Sequence, residues 1–491
     1  MQLKCAASLL SLLSLLSLLS FLGLALLFAT GCSVSADLDG KSCPCAAGWV
    51  CDTASDRCVR PDAGRDSATP PSDTGTPPAD SAVPPEDVPG RVMFIDDSAA
   101  TFGMGTLDGT TVDGDALKLD GSGRTGTIES RVFDANGQRA WTSLSWTPRG
   151  PYGKNLPDSR GAESGYGADA VDMAGNLMLW HLDEMADLND GDPVADGSGR
   201  SNGGLALAPD SPLRVVDGLI GNAVVDRVDT YLYLPTSTTA DFDFGNSDLT
   251  WSLWVNTTED CSDRNKVYLG IDGSASPNAH LWLGCTSVGY SLCPSGSPSG
   301  LAGGYFHSAS DPRDGGGYCG TTRINDGAWH NLIIVKAGHA SARLRLYVDG
   351  VMEDERDASF EGPLDFPMDP DLTVGDFTGG TYPAIGDFDE VAIWGRALSA
   401  SEAGAVYRRG ALRLSLQVRA CDDPACAGEQ FVGPDGTSAT SFVDTGTLTP
   451  ATTATLTGLT GRYVQYRARF DTLSTTASAV LERVAMTGDP I

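Results

Sequence analysis

Asp326-Gly327-Ala328-Trp329-His330-Asn331-Leu332-Ile333-Ile334-Val335, followed by Leu344-Arg345-Leu346-Tyr347-Val348-Asp349-Gly350-Val351, is the stretch on which the reading of this sequence turns. Both runs are short, apolar and bounded by turn-forming residues, the pattern of strands. The second ends as a hairpin, because Asp349-Gly350 supplies the positive φ angles that a tight turn requires. Upstream, Trp251, Leu253 and Val255 alternate with Ser252, Trp254 and Asn256, as in a strand with one face in a sandwich core. Downstream, Ser399 to Arg409 is the one predicted helix, with Ser399 as cap and Glu402 three residues on as its capping-box partner. From Arg91 onward the same short strands recur between Gly, Asp, Asn and Pro turns, so the architecture is all-β; about 400 residues exceed one sandwich, and at least two β-domains are expected.

Taken in order, the central segments carry a resemblance. Leu177-Met178-Leu179-Trp180-His181-Leu182-Asp183-Glu184 opens the series, followed by the turn Asp196 to Gly203, then Gly221 to Val225, Tyr231 to Leu234 and Leu249 to Val255. The two runs quoted above follow, and Ile385 to Trp394 with Arg396 to Ser399 closes it. The set resembles the laminin G-like jelly roll of the concanavalin A-like lectin/glucanase superfamily, over residues 174–410. In that family Trp329 and His330 begin an interior strand, which implies a packing role. Gly126 to Ala135 and Trp141 to Trp146 on one side, with Leu414 to Cys421, Gly461 to Phe470 and Val480 to Val484 on the other, resemble one discoidin-like sandwich split in two. The expected fold class is therefore all-β: a concanavalin A-like jelly-roll β-sandwich (174–410) inserted into a second, discoidin-like β-sandwich (91–160 and 411–491). A small disulfide-rich segment and a disordered linker precede both.

The amino-terminal end carries an export signal: Lys4 before the apolar run Leu9 to Phe28. The run stops at Ala29-Thr30-Gly31-Cys32, which resembles the lipobox of bacterial lipoproteins, although Ala29 stands where that motif usually has Leu. The resemblance implies that residues 1–31 are a removed signal peptide and that Cys32 is acylated, anchoring the chain to lipid without spanning it. Ser33 rather than Asp follows, which in the familiar sorting rule favours the outer membrane, so the expected location is the outer membrane or cell surface of a Gram-negative bacterium. Residues 32–60 form a short Cys-rich segment, and 61–90, rich in Pro, Asp, Ser and Thr, a linker. At about 3.1 Å per residue in polyproline II geometry it could hold the later domains roughly 90 Å from the lipid.

The formal net charge is −31 with no cationic block, so nucleic acid is not an expected partner. Of 12 cysteines, Cys5 leaves with the signal and Cys32 would be acylated. Cys43, Cys45, Cys51, Cys58, Cys261, Cys285, Cys293, Cys319, Cys421 and Cys426 remain, an even set in local clusters that fits disulfides in an oxidising compartment. Zinc is the rival reading, but the histidines are scattered.

Glucanases of the superfamily place catalytic carboxylates on alternate residues of one strand, as Glu-x-Asp-x-x-Glu, and the sequence has no such strand. A non-catalytic protein is expected. Its position in the resemblance makes Asp389 the candidate carboxylate for a structural Ca2+, with Asp183 and Asp196 from the opening strand and turn as further ligands. The Gly-, Ser- and Cys-rich stretch between Cys261 and Cys319 reads as a stapled loop with exposed aromatics, so Tyr290, Tyr305 and Tyr318, with Phe306, are the candidate ligand contacts. The expected function is adhesion or recognition: binding of an extracellular glycan or a surface protein. The alternatives are a structural surface spacer without a small ligand, and a polysaccharide-acting glycoside hydrolase.

Overall fold

In the computed structural model the alternating run becomes Leu249–Asn256, a strand inside a sheet ordered Arg214–Asp217, Asn222–Asp226, Gly386–Trp394, Leu249–Asn256, Trp329–Ala337, Ala342–Val348 and Val351–Ala358. Asn176–Trp180 also pairs with Gly386–Trp394. A second antiparallel sheet packs against it, ordered Pro193–Val194, Gly204–Leu207, Tyr231–Pro235, Asp371–Val374, Lys266–Asp272, His280–Cys285, Leu301–His307 and Gly316–Arg323. Trp180, Trp251, Leu253, Val255, Leu281 and Phe306 meet in one core between the sheets. Each such side chain contributes roughly 1.5–3 kcal/mol by leaving water. The structure describes residues 50–52, 57–59, 90–227, 229–235, 240–272, 279–308, 315–364, 366, 371–377 and 382–491.

The first sheet differs from the sequence reading in one respect. Ser252 and Trp254, expected outside, are as buried as Trp251 and Leu253. A cover explains it: the helix Ala400–Ala411 packs on that face, with Tyr407 stacked on Trp254 at 5.6 Å between ring centroids. The helix starts as predicted, the Ser399 side chain accepting from the Glu402 N–H and Glu402 accepting from the Ser399 N–H. The hairpin is also where the Asp-Gly pair placed it, with φ of 52° at Asp349 and 73° at Gly350. Asp349 accepts from the Asn331 N–H and bonds His330 Nδ1 at 2.8 Å, so His330 holds this turn.

The flanking strands share one sheet although they come from both ends of the chain. Leu412–Cys421 pairs with Thr460–Thr472, which pairs with Thr125–Glu129 and with the long strand Phe133–Pro148. Trp141, Trp146, Leu414, Leu416, Tyr466 and Phe470 lie in its core. The chain leaves this sheet at Pro148 and re-enters it at Leu412, straight from the helix. Of the amino-terminal unit, Met1–Pro84, only the hairpin of Val50–Asp52 with Arg57–Val59 is described, and it sets Cys51 opposite Cys58. The signal at 1–31, Cys32, Cys43, Cys45 and the linker up to residue 89 lie outside the described residues. No helix among the described residues is long and apolar enough to cross a membrane.

Residues 149–175, between sheet and jelly roll, are fixed by buried ions. Arg409, 1% exposed, donates to Glu163 at 2.6 Å and to the carbonyls of Lys154 and Asn155. Glu390 sits at a bulge with φ of 50°, where its carboxylate accepts from the Leu156 N–H and bonds His181 Nδ1. His181 Nε2 also meets Asp158 at 3.1 Å. Burial pulls the imidazole pKa down, but Glu390 and Asp158 outweigh it and raise it to about 10.

Unfolded, this imidazole gives up its proton near 6.5; folded, it keeps it to about 10. The stabilisation is thus complete below 6.5 and is lost as pH rises through 10. Thermal unfolding followed by circular dichroism is expected to show a midpoint falling over this window, with a shallower fall in His181→Gln. Identical slopes for the two proteins would refute the assignment.

Candidate functional site

Strand alternation gives the second sheet an outer face of unusual composition. Leu281, Leu283 and Phe306 point into the core, so His280, Trp282, Tyr305 and His307 point away from it. Register carries the pattern across the sheet: Leu205 lies opposite Tyr233, Tyr233 opposite Thr373, Thr373 opposite Gly270, Gly270 opposite Trp282 and Trp282 opposite Tyr305. Phe377 lies over the glycine in this row. A Cβ on Gly270 would stand 2.5 Å from the Phe377 ring, so only glycine lets the ring rest on the strand. Tyr382 packs beside Phe377 at 6.0 Å, and Trp282, Phe377 and Val267 form one apolar cluster with Tyr290, Tyr305 and Tyr382 at its margin.

Beside the row, Asp272 lies opposite His280 and His280 opposite His307. The two imidazoles stack with centroids 5.0 Å apart and planes 11° from parallel. Burial and then the charge of His307 lower the His280 pKa to about 4, so at neutral pH this ring is an uncharged flat surface carrying a donor and an acceptor.

Disulfides fix the surroundings. Cys261–Cys285 ties the strand His280–Cys285 to the segment before Lys266, and Cys293–Cys319 pins the 286–300 loop onto the edge strand. That loop lays Tyr290 against Trp282 at 5.6 Å, and its hydroxyl donates to the Gly304 carbonyl at 3.0 Å. A third bridge joins Cys421 to Cys426.

The stretch from Cys261 to Cys319 is therefore not a decorating loop, as its Gly and Ser content suggested, but three strands and part of a fourth. Tyr290 and Tyr305 both border the cluster on the outer face, each half-buried. Tyr318 does not: it is fully buried, packs edge-on against Phe306 at 5.7 Å, and belongs to the core, because its place on Gly316–Arg323 turns it inward. Phe306 is buried for the same reason. Sequence reasoning missed His280, Trp282, His307 and Phe377. The alternation of His280 and Trp282 with Leu281 and Leu283 was the signal that could have found the first two.

The three acidic candidates separate. Asp389 is fully buried, with Oδ2 accepting from the N–H groups of Leu219 and Ile220 and Oδ1 without a hydrogen-bond partner; burial, then Glu390, raises its pKa well above the usual range. Asp183 accepts from Asn222 N–H at 2.7 Å and from Asn155 Nδ2 at 2.5 Å, and buried Asn155 Oδ1 likewise has no partner. These unmatched hard oxygens suit calcium. Asp196 does not join them, because its carboxylate takes the N–H groups of Leu179, Ser198 and Asn202 and the Ser198 hydroxyl, and so organises its own turn.

Residues 226–404 match the family model of the concanavalin A-like lectin/glucanases superfamily. The matched stretch is the concanavalin A-like domain of the chain. A search of curated proteins returned no match. Among solved structures, domain 4 of AbnA, a GH43 extracellular arabinanase from Geobacillus stearothermophilus in complex with arabinotriose, is 18% identical over 47% of this chain and 98% of its own, with a TM-score of 0.32. The Ruminococcus gnavus IT-sialidase CBM40 bound to alpha2,3 sialyllactose is 15% identical over 33% and 84%, with a TM-score of 0.27. Trypanosoma rangeli sialidase is 15% identical over 52% and 36%, with a TM-score of 0.35.

A proton NMR titration is expected to show the His280 ring staying neutral down to about pH 4, with His307→Gln raising that midpoint. A midpoint at the ordinary 6.5 in the unaltered chain would contradict the burial assigned to it.

Proposed function

We propose that this chain is a non-catalytic recognition protein of the cell surface, acylated at Cys32, whose jelly roll binds carbohydrate on the outer aromatic face of its second sheet. The observation that carries the reading is the cluster on this face in which buried Trp282 and Phe377 back the half-buried rings of Tyr290, Tyr305 and Tyr382. Sugar rings present apolar C–H faces and polar edges, and flat side chains with hydroxyl or imidazole groups at their margins match both. The platform is built in advance: Tyr290 is held by a disulfide-tethered loop and Phe377 by Gly270, so little side-chain freedom is lost on binding.

The same reading places a structural calcium ion at Asp389 and Asp183, with Asn155 as a neutral oxygen donor. The ion would supply the positive charge that a buried carboxylate oxygen without a partner calls for. Its role is to hold the strand Gly386–Trp394 to the 219–222 turn, remote from any chemistry.

Two measurements test these statements. Binding of the acyl-free chain to a panel of immobilised polysaccharides is expected to weaken about five- to thirty-fold in Trp282→Ala and Tyr305→Ala, equivalent to one or two kcal/mol. Unchanged retention in both variants would remove the platform from the binding site. For the ion, thermal unfolding with calcium at about a hundred times its Kd should register near 2.7 kcal/mol of added stability over the chelated protein, and none in Asp389→Asn. A calcium response that survives in Asp389→Asn would place the ion elsewhere.

A further inference from the structure

We infer that the flanking sandwich carries a second binding face, independent of the jelly roll, and that its ligand is an acidic glycan held through carboxylate or sulfate groups.

Strand register sets the face. Leu414, Leu416, Ala468, Phe470 and Ile128 point into the core of this sandwich, so the residues between them point out. Three rows then cross three strands: Gln417, Arg467 and Glu129; Ser415, Arg469 and Thr127; Arg413, Asp471 and Thr125. A segment bridged to the outer strand at Val432 and Phe442 raises a wall beside the first row, where Gln417 Nε2 donates to the Ser438 and Thr440 carbonyls at 3.2 and 2.8 Å. Between wall and strands lies a cleft of about 420 Å³, and Arg469 also borders a second, of about 320 Å³, that reaches Arg124. A third, of about 540 Å³, continues from Arg124 and Thr472 between the 118–124 and 472–478 segments. Arg469 is exposed, and Arg467, Glu129 and Asp471 are half-buried, so a ligand in the groove reaches all four.

Charge is inverted here. The chain has 33 Lys and Arg against 64 Asp and Glu, yet the charged residues of the first two clefts are Arg124, Arg413, Arg467 and Arg469 against Glu129 and Asp471. Arg413 and Arg124 donate to the Leu219 and Leu473 carbonyls, which are neutral partners. Glu129 meets Arg467 at 2.5 Å and Arg419 at 3.8 Å, and both guanidinium groups lie over the Phe431 ring, 4.1 and 4.2 Å from its centroid. One carboxylate is thus shared between two cations held in place by the same ring. Arg467 binds Glu129 and Arg469 binds Asp471 through Nε and Nη2, and neither pairing uses Nη1. Solvent-exposed pairs of this kind stabilise a fold little, so an incoming anion shares or replaces them at small cost.

Guanidinium groups recognise carboxylate and sulfate through paired N–H donors. Around them Ser415, Thr127, Ser438 and Ser441 offer hydroxyls that both donate and accept, as sugar hydroxyls require. The excess of four arginines over two carboxylates suits a polymer of sparse charge. A nucleic acid, with about one phosphate per 1.7 Å of duplex, would instead meet the net −31 of the whole chain.

The test is affinity electrophoresis of the full chain without its acyl group. Gels contain polygalacturonate or alginate as carboxylate polymers, carrageenan as a sulfate polymer, or dextran as a neutral one. Arg467→Gln and Arg469→Gln run beside the parent, with Trp282→Ala to report on the jelly-roll face and circular dichroism to confirm that each variant is folded. Retardation by a carboxylate or the sulfate polymer is expected, about ten-fold or more weaker in both arginine variants, unchanged in Trp282→Ala and reduced by added salt. Whichever polymer type retards identifies the group that the arginines hold. Acidic-polymer retardation lost in Trp282→Ala but kept in the arginine variants would overturn this inference and leave the jelly-roll reading standing. So would the absence of retardation by every acidic polymer, or equal retardation by dextran that the arginine changes also weaken. Single-stranded DNA that displaces the polymer from the parent, and binds through the same arginines more tightly, would overturn the glycan assignment.

Discussion

Each sheet of a two-layer sandwich has an inner face that must be buried and an outer face whose fate is open, and here the two outer faces meet opposite fates. The outer side of the sheet containing Leu249–Asn256 is sealed: Trp254 stacks under Tyr407, and Leu179, Ile333, Val335 and Trp394 pack against Leu156, Leu398 and Val406. Once that side is committed to the helix and to residues 149–175, the side left partly open is the outer face of the other sheet, where His280, Tyr305 and His307 are half-buried around the buried Trp282. Packing on one layer thus selects which layer is left to meet a ligand, and the core between them transmits no chemistry, only position.

The seal is unusual in relying on charge. Arg409 and Glu163 are both buried, as is Glu390 beside His181, and the desolvation of such pairs offsets much of their attraction. What they add is specificity of placement. Arg409 can meet Glu163 and the Lys154 and Asn155 carbonyls in one arrangement of the joint, and Glu390 reaches both His181 and the Leu156 N–H only because a bulge turns its φ positive. An apolar joint of the same area would tolerate sliding. With the chain leaving the flanking sheet at Pro148 and returning at Leu412, close enough for the Gly153 N–H to reach the Arg409 carbonyl at 2.7 Å, the guest domain can be seated without stretching the host.

Legibility in the sequence followed the range of the interaction. The Asp349-Gly350 turn, the Ser399 cap and the alternation at Trp251, Leu253 and Val255 depend on neighbours within a few residues, and they stand where the sequence placed them. The burial of Ser252 and Trp254 depends on a helix some 150 residues away and left no local trace. Between Cys261 and Cys319, glycine and serine mimic loop composition, yet glycine here serves close packing within strands. A Cβ on Gly304 would stand 2.8 Å from Tyr318, and one on Gly317 2.8 Å from Tyr305. Tyr290 and Tyr305 could be named from aromatic content, whereas Tyr318 was misplaced because composition carries no information on facing; only the period-two count from Phe306 through its cross-strand partner does.

That use of glycine bears on how such a face works. Gly270 beneath Phe377 removes the side chain that would lift the ring, and Gly304 leaves its carbonyl open to the Tyr290 hydroxyl, which keeps that ring against Trp282. The packing of this cluster is therefore encoded in what is missing from the strands as much as in the aromatics themselves. Adding one methyl group at Gly270 would disturb the platform more than many changes to the rings, because a truncated ring leaves its neighbours in place while a displaced one carries Tyr382 with it.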